Sequence, residues 1–374
     1  MPHASPAELA AMRRALEVAG TPGTPLGPNP RVGCVLLDPD GNQVAEGHHR
    51  GAGNPHAEVE ALRALGRPAT GLTAVVTLEP CNHTGRTGPC ATALLEAGVA
   101  RVVHAQSDPN PVAAGGAATL RAAGVEVESG VLEREARELN RAWTFGLQHG
   151  RPLVTWKYAA TLDGRSAAAD GSSRWISSPA ARRDTHRLRA RSDAVLVGTG
   201  TVLDDDPQLT ARDEDDRSLP APEQPLRVVM GRRAVPPTSR VLDDAAPTLV
   251  LATRDPSAVL TELFERGRRH LFLEGGPTVA AAFLRAGLVD EVVAYVAPLL
   301  LGAGRSAVGD LGIESIAGAL HLAVDDVTVL GDGPDRNLRL LLHPLHDGAP
   351  VPATPPAPTT STSDTSDTSD DKDG

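Results

Sequence analysis

His56-Ala57-Glu58 follows Asn54-Pro55. Two cysteines lie downstream, Cys81 within Glu79-Pro80-Cys81 and Cys90 after eight intervening residues. One imidazole and two thiols provide three corners of a tetrahedral zinc site and leave the fourth to water. That is the ligand count of a catalytic metal rather than a closed structural one. Cysteines near helix N-termini favour the thiolate, the form that binds metal, and two thiolates neutralise the dication. Glu58, two residues from the histidine, is placed to carry protons rather than to ligate. Zinc lowers the pKa of its water; Glu58 takes that proton and later gives one to a departing amine. The competing reading makes Cys81 and Cys90 small core hydrophobes with no common purpose. Cys34, inside an apolar run, reads as a packed core thiol.

These side chains need elements to hold them. Ser5-Pro6-Ala7-Glu8 reads as a capping box with proline at the first helical position. Leu9, Met12, Leu16 and Ala19 follow at helical spacing, up to Gly20. Residues 32–37 and 43–47 read as strands around the turn Asp38-Pro39-Asp40-Gly41. A strand over 74–78 delivers Cys81, and a helix over 90–97 opens on Cys90. A strand at 102–105, a helix at 117–123, a strand at 125–128 and one long helix from about 132 to 147 complete the first half. His149-Gly150-Arg151-Pro152 is the seam. Beyond it come a strand at 153–158, a helix opened by Ser178-Pro179 and running to about 191, and buried strands at 194–197, 226–230, 248–252 and 270–273. A helix at 278–286 and a strand at 291–297 follow. Arg212 to Pro225 reads as a mobile surface loop. The alternation predicts α/β layers in two domains, 1–149 and 150–345, with a tail at 346–374. Gly198-Thr199-Gly200 lacks the third glycine of a dinucleotide fingerprint, so the sequence does not support a Rossmann domain.

A length of 374 residues suits two domains of roughly 100–200 residues each. The chain is 41% hydrophobic and 22% charged, but only 2% aromatic, which leaves its cores to Ala, Leu and Val. The net charge is −11, and the segment Ala349–Gly374, with five Asp and one Lys, carries four of those charges. An acidic remainder argues against a nucleic-acid partner. No apolar run reaches transmembrane length and no signal peptide is visible, so no membrane partner is expected. Three cysteines without an export signal point to the reducing cytosol rather than to a disulfide framework. The Pro/Thr/Ala-rich and Ser-Asp-Thr-repeating tail reads as disordered.

His-x-Glu followed by Pro-Cys and a second Cys is the order of zinc deaminases, although their cysteines are commonly separated by only two residues. The longer loop makes the resemblance specific. Pro28-Asn29-Pro30-Arg31-Val32-Gly33, His56-Ala57-Glu58, the block Leu78 to Cys90 and Asp108-Pro109-Asn110-Pro111 resemble the bifunctional riboflavin-biosynthesis deaminase–reductases. The resemblance covers all but the tail. It implies a cytidine-deaminase-like three-layer domain followed by a dihydrofolate-reductase-like α/β domain. The first would hydrolyse the 2-amino group of a diaminopyrimidinone carrying a ribosylamino 5′-phosphate. By resemblance Asn29 would hold the pyrimidine, and His83 and Arg86 would meet the phosphate. Arg86 suits that role, since its fork matches phosphate.

In the second half, Glu274-Gly275-Gly276-Pro277-Thr278 lies between a strand and a helix, where bare backbone and a helix N-terminus favour phosphate. Lys157 with Thr161 to Arg165, Trp175 to Pro179, Thr201 to Pro207 and Glu274 to Thr278 resemble the same family's reductase domain, which reduces ribosyl to ribityl with NADPH. The resemblance implies cofactor contacts at Ala159, Trp175, Thr201, Asp205, Gly276, Pro277, Thr278, Val279, Ala280, Ala281 and Ala282. It implies substrate contacts at Ser173, Arg189, Leu209, Arg212 and Glu274. Lys157 and Asp205 would orient the opened ribose. On plainer readings Leu209 is core, Trp175 is a packing anchor, and the arginines of 182–191 are a solvated face. Gly231-Arg232-Arg233 departs from the family, which often has a small or acidic residue there. Arg232 or Arg233 is expected to bind the 2′-phosphate of NADPH. The expected partner is a phosphorylated pyrimidine, and the resemblance implies a homo-oligomer. Two rival readings remain. One is a zinc deaminase of another base or nucleoside with a non-catalytic nucleotide-binding second domain. The other is a sensor without turnover, which the intact Glu58 argues against.

Overall fold

The structure is a computed structural model and describes residues 4–83 and 88–345. Arg86 and the tail from residue 346 lie outside the described residues. The described residues form two large sheets, one from each half, and a two-stranded ribbon.

The first sheet contains β1 (Gly33–Leu37), β2 (Gln43–His48), β3 (Thr73–Leu78), β4 (Arg101–Gln106) and β5 (Glu126–Ser129), in the order β2-β1-β3-β4-β5. β1 runs antiparallel to both neighbours, and β3, β4 and β5 are parallel. Period-two alternation sends Cys34, Leu36 and Val76 to one face and Val35, Leu37 and Val75 to the other. Helices cover both faces: α1 (Pro6–Ala19), α2 (Ala57–Leu65), α3 (Cys90–Glu96), α4 (Gly116–Ala122), α5 (Glu133–Leu139) and α6 (Arg141–His149). The α1 capping box is present in both directions between Ser5 and Glu8. Cys34 is fully buried in the core, as expected.

One expectation fails. The single helix over 132–147 is two, broken at Asn140. The Asn140 side chain is buried and bonds both the N–H and the C=O of Arg31, at 2.8 and 2.9 Å. An amide that serves another segment's backbone in this way fixes where the chain bends, and helical periodicity carries no trace of it.

The second sheet has the order β10-β9-β8-β11-β6-β12-β15-β14. β6 (Leu153–Thr161), β8 (Ala194–Gly198), β9 (Leu226–Met230), β10 (Thr248–Leu251), β11 (His270–Leu273) and β12 (Glu291–Ala297) are parallel; β15 (Asn337–Pro344) and β14 (Leu322–Leu330) close it antiparallel. A small ribbon joins β7 (Arg165–Ala167) to β13 (Arg305–Ser306). α7 (Pro179–Ala190), α8 (Thr199–Asp205), α9 (Pro256–Glu265) and α10 (Pro277–Arg285) pack on its faces. Because six strands are parallel, the segments after β6, β8, β9 and β11 all emerge at one edge. That is where open α/β sheets bind ligands. The segment from Arg212 is pinned at its far end, where buried Gln224 bonds Ala211 and Leu219 backbone.

Candidate active sites and metal centre

His56 is the N-cap of α2, Cys81 follows β3, and Cys90 opens α3. The three elements meet so that His Nδ1 and both Sγ atoms lie within 4.8 Å of one another. Nδ1 is 3.2 Å from Cys90 Sγ and 3.5 Å from Cys81 Sγ. A tetrahedral zinc shared by one imidazole nitrogen and one thiolate asks for roughly 3.5 Å between them, so the donor set fits this metal in type, number and spacing. The Cys90 N–H points at Cys81 Sγ, 3.4 Å away. Hydrogen bonds from Cys90 and His56 pull the Cys81 thiol well below its ordinary value.

Glu58 sits in the first turn of α2, buried with 3% exposure. Burial pushes its carboxyl upward, against the pull of His56. A carboxyl poised this way takes up and gives back a proton more readily than a solvated one. A cavity of about 390 Å³ runs past both groups and is lined also by Asn29, His49, Glu79, His83, Asp108 and Trp143. The structure thus brings Asn29 and His83 to the site. Among the described residues the buried His83 Nδ1 has no hydrogen-bond partner.

Three groups in this cavity were not legible as site residues. His49 bonds Pro55 C=O through Nδ1 and the Asn29 amide through Nε2, at 2.9 and 3.0 Å. Glu79 accepts N–H bonds from Asp108, Gly115 and Ala117, and so shapes the loop that closes the cavity. Burial beside Glu79 pushes the Asp108 carboxyl up to about 6. Glu79 and Asp108 lie inside the family motifs but carried no role of their own there, and His49 has no sequence signal beyond lying seven residues before His56.

The second site is more dispersed. Ala159 and Lys157 are on β6, Thr201 and Asp205 on α8, Arg232 in the turn after β9, and Glu274 after β11, at the shared sheet edge. Gly276 is the N-cap of α10, and a Cβ placed on it would stand 3.8 Å from Thr201 Oγ1. Gly276 therefore faces α8 across bare backbone, and Pro277, Thr278, Val279, Ala280, Ala281 and Ala282 continue as the helix. Exposed backbone and a helix N-terminus suit a dinucleotide phosphate. Arg189 and Glu274 face each other in a two-armed ion pair at 2.5 and 3.0 Å, both largely buried. Arg189 also bonds Thr210 C=O at 2.9 Å, so it is not part of a solvated face. Burial opposes the Glu274 charge, yet Arg189 and Lys157 hold its carboxyl below the usual range. Burial pushes the Lys157 ammonium down. Arg212 pairs with Asp216 at 3.1 Å.

Four more of the expected contacts have these settings. Trp175 is 67% exposed, with Arg182 stacked 4.4 Å above its ring; it is a free surface rather than a packing anchor. Ser173 and Asp205 are exposed. Leu209 is packed in the core with Val195, Val229 and Phe272, at φ +58.

Residues 6–106 match the cytidine and deoxycytidylate deaminase zinc-binding region, and residues 152–335 match the RibD C-terminal domain. A riboflavin biosynthesis protein RibD from Mycobacterium tuberculosis is 55% identical over 315 residues, covering 84% of this chain and 91% of the relative. The chain belongs to the RibD family. It is a bifunctional deaminase and reductase of riboflavin biosynthesis that acts on a small pyrimidine, with its zinc site at His56, Cys81 and Cys90 and NADPH as the cofactor implied for its reductase domain. The Escherichia coli member is 42% identical over 362 residues, covering 88% of this chain and 98% of the relative. Among solved structures, the diaminohydroxyphosphoribosylaminopyrimidine deaminase/5-amino-6-(5-phosphoribosylamino)uracil reductase of Thermotoga maritima superposes with a TM-score of 0.78 at 33% identity. It covers 91% of this chain and 99% of its own. The Acinetobacter baumannii RibD gives the same TM-score at 39% identity. The expected fold, a cytidine-deaminase-like domain followed by a dihydrofolate-reductase-like one, is the fold observed. No described helix is long and apolar enough to cross a membrane.

Proposed function

We propose that residues 1–149 deaminate 2,5-diamino-6-ribosylamino-4(3H)-pyrimidinone 5′-phosphate. Residues 150–345 then reduce its ribosyl group to give 5-amino-6-ribitylaminouracil 5′-phosphate. The observation that carries this is the buried Glu58 carboxyl beside His56, Cys81 and Cys90, in a cavity that also presents Asn29 and His83.

Zinc, when bound, supplies the charge that makes water nucleophilic near neutral pH. Glu58 holds the proton released in that activation on its carboxylate and delivers it to the amino group that leaves as ammonia. The Asn29 amide, oriented by His49 Nε2, reads the pyrimidine edge. His83 offers its unpartnered Nδ1 to the phosphate, and Arg86 is assigned there by the family motif.

NADPH would supply the hydride for the second reaction. The bare turn at Gly276 and the first turn of α10, with Thr201, Ala159, Trp175 and Asp205, would hold it at the sheet edge, and Arg232 would meet its 2′-phosphate. Arg189, Arg212, Ser173, Leu209 and Glu274 hold the substrate, and Lys157 and Asp205 orient the opened ribose at C1′. The Arg189–Glu274 pair opens on binding, with substrate phosphate replacing the carboxylate on the guanidinium.

We place the enzyme in the cytosol, consistent with three unpaired cysteines. We also propose a homo-oligomer. The edge strand β14 exposes Val324, Val327 and Val329, and Ile316 nearby is 89% exposed, a patch that a second copy would cover.

Mass spectrometry of products from zinc-loaded protein tests the reading. Exchange of amino for oxo without NADPH, followed by a gain of two hydrogens with it, is the expected result. Neither change in a folded, zinc-replete sample would sink it.

A further inference from the structure

Asn29 lies in a loop held from two sides. From the first domain, Trp143 Nε1 donates to Pro28 C=O at 3.1 Å, and Asn140 holds both polar groups of Arg31. The other holds come from the second domain. The Leu26 N–H donates to Asp193 Oδ1 at 3.3 Å. The other oxygen of Asp193 accepts the N–H groups of Arg269 and His270, at 2.6 and 3.1 Å. Gly27 packs so tightly that a Cβ there would stand 2.3 Å from Gly267 C=O and 2.5 Å from Arg269 Cγ.

Asp193 lies immediately before β8, remote in sequence from every deaminase motif. Its carboxylate is buried and spends both oxygens on backbone N–H groups, one of them across the domain boundary. Packing alone asks for no such acceptor at Leu26, because an N–H in an exposed linker would be satisfied by water. Gly27 carries the complementary signal, with no room on the second domain's side for even a methyl group. Both contacts fall two or three residues before Asn29, on a segment that Pro28 and Pro30 stiffen.

We infer that the second domain braces the first domain's substrate site from behind the loop that carries Asn29, and that Asp193 is a positioning residue for deamination. It acts through Leu26 and Gly27 on the placement of Asn29. The inference rests on the reading above that Asn29 holds the pyrimidine.

Two substitutions in the full-length chain test it. Gly27→Ala wedges the loop away from Gly267 and Arg269. Asp193→Asn keeps one oxygen for the Arg269 and His270 N–H groups but turns an amide toward the Leu26 N–H, donor against donor. Each is assayed for ammonia release from the diaminopyrimidinone phosphate, for zinc content, and for NADPH oxidation on the deaminated substrate supplied directly. A misplaced contact far from the chemistry should raise the deamination KM about tenfold or more, with kcat little changed. Zinc content and reductase kinetics should hold. An unchanged KM in both variants overturns the inference. So does a KM that rises only in step with lost zinc or lost reductase activity, since that marks general unfolding. Asn29→Ala separates the two ideas. If it leaves deamination intact, the role given to Asn29 fails. If it impairs deamination while the other two variants do not, the brace alone fails.

Discussion

The two sites are built on opposite plans. In the first domain the chemistry is concentrated: three ligand atoms lie within 4.8 Å of one another, with Glu58 buried beside them and a cavity alongside. In the second, the expected contacts are spread along one sheet edge. The strongest charges there, Arg189 and Glu274, are already spent on each other. A metal needs donors that converge before it arrives, so folding must assemble them. A dinucleotide is large and brings its own chemistry; the protein supplies backbone, a helix N-terminus and a few charges that exchange partners on binding. Substitutions should therefore act abruptly in the first site and gradually in the second.

Glu58→Gln should show the sharpest contrast. The amide keeps the shape and hydrogen-bonding reach but cannot carry the proton. Deamination should fall by roughly 10²–10⁴-fold, with zinc content and the reduction of pre-deaminated substrate unchanged. A variant that deaminates normally would remove Glu58 from the chemistry and erase the contrast.

In the second site the largest effect should be on stability. Glu274→Ala leaves Arg189, whose side chain is 14% exposed, and the neighbouring Lys157 without their carboxylate. Breaking a buried pair from one side costs about 3 kcal/mol or more, which urea unfolding would register as a lowered midpoint. Arg189→Met paired with Glu274→Leu should recover much of that stability while abolishing reductase activity. Recovery of activity as well would mean that neither charge meets the substrate.

The same difference governs what the sequence made legible. The metal set is short-range: His56-Ala57-Glu58 and two cysteines that flank one strand and one helix, so spacing alone assembles it. Its helpers were not legible, because His49 and Glu79 act through backbone atoms of loops that spacing does not place. Strands β9 and β12 read cleanly as apolar runs. β14 did not, because Asp325-Asp326 and a register shift between Val324 and Asp326 break its alternation. α8, with the sequence Thr-Gly-Thr-Val-Leu-Asp-Asp, contains weak helix formers and was not read as an element. α9 was not read, although Asp255-Pro256 offers the same cap-and-proline start as Ser178-Pro179. The reductase residues came from the family resemblance, because contacts dispersed over four strand ends leave no local spacing to read.

The boundary between the two plans carries its own titration. Burial pushes His270 down to about 4, and Arg141 of the first domain adds to the effect. Its Nε2 meets Thr155 Oγ1, which donates to Glu291; Glu291 pairs with Arg141. An unfolded histidine titrates near 6.5, so between about 6.5 and 4 the unfolded chain binds the extra proton. The contribution is complete above pH 6.5 and is lost as pH falls through 4. It amounts to on the order of 3 kcal/mol. His270→Gln should flatten the acid limb of the stability curve measured by denaturant unfolding. An unchanged slope would show that the interface tolerates the imidazolium.

The smallest effect concerns the turn after β9. Gly231 carries φ +143, and a Cβ there would strike Thr199; this bends the chain sharply after β9 and brings Arg232 and Arg233 to the edge where α8 begins. Arg233 Nη2 lies against Gly200, while Arg232 is exposed, and neither forms an ion pair among the described residues. Two guanidinium groups without carboxylate partners at the end of a cofactor-side strand leave a place for the extra phosphate that distinguishes NADPH from NADH. The contact is solvent-exposed, so it should be worth only about tenfold in affinity, near 1.4 kcal/mol. Arg232→Ala should weaken NADPH binding by that factor in calorimetry and leave NADH binding as it was, with a further loss on adding Arg233→Ala. The reading ends if both single variants keep the NADPH-to-NADH ratio. The 2′-phosphate would then be held elsewhere on the sheet edge, and the second site would be more dispersed still.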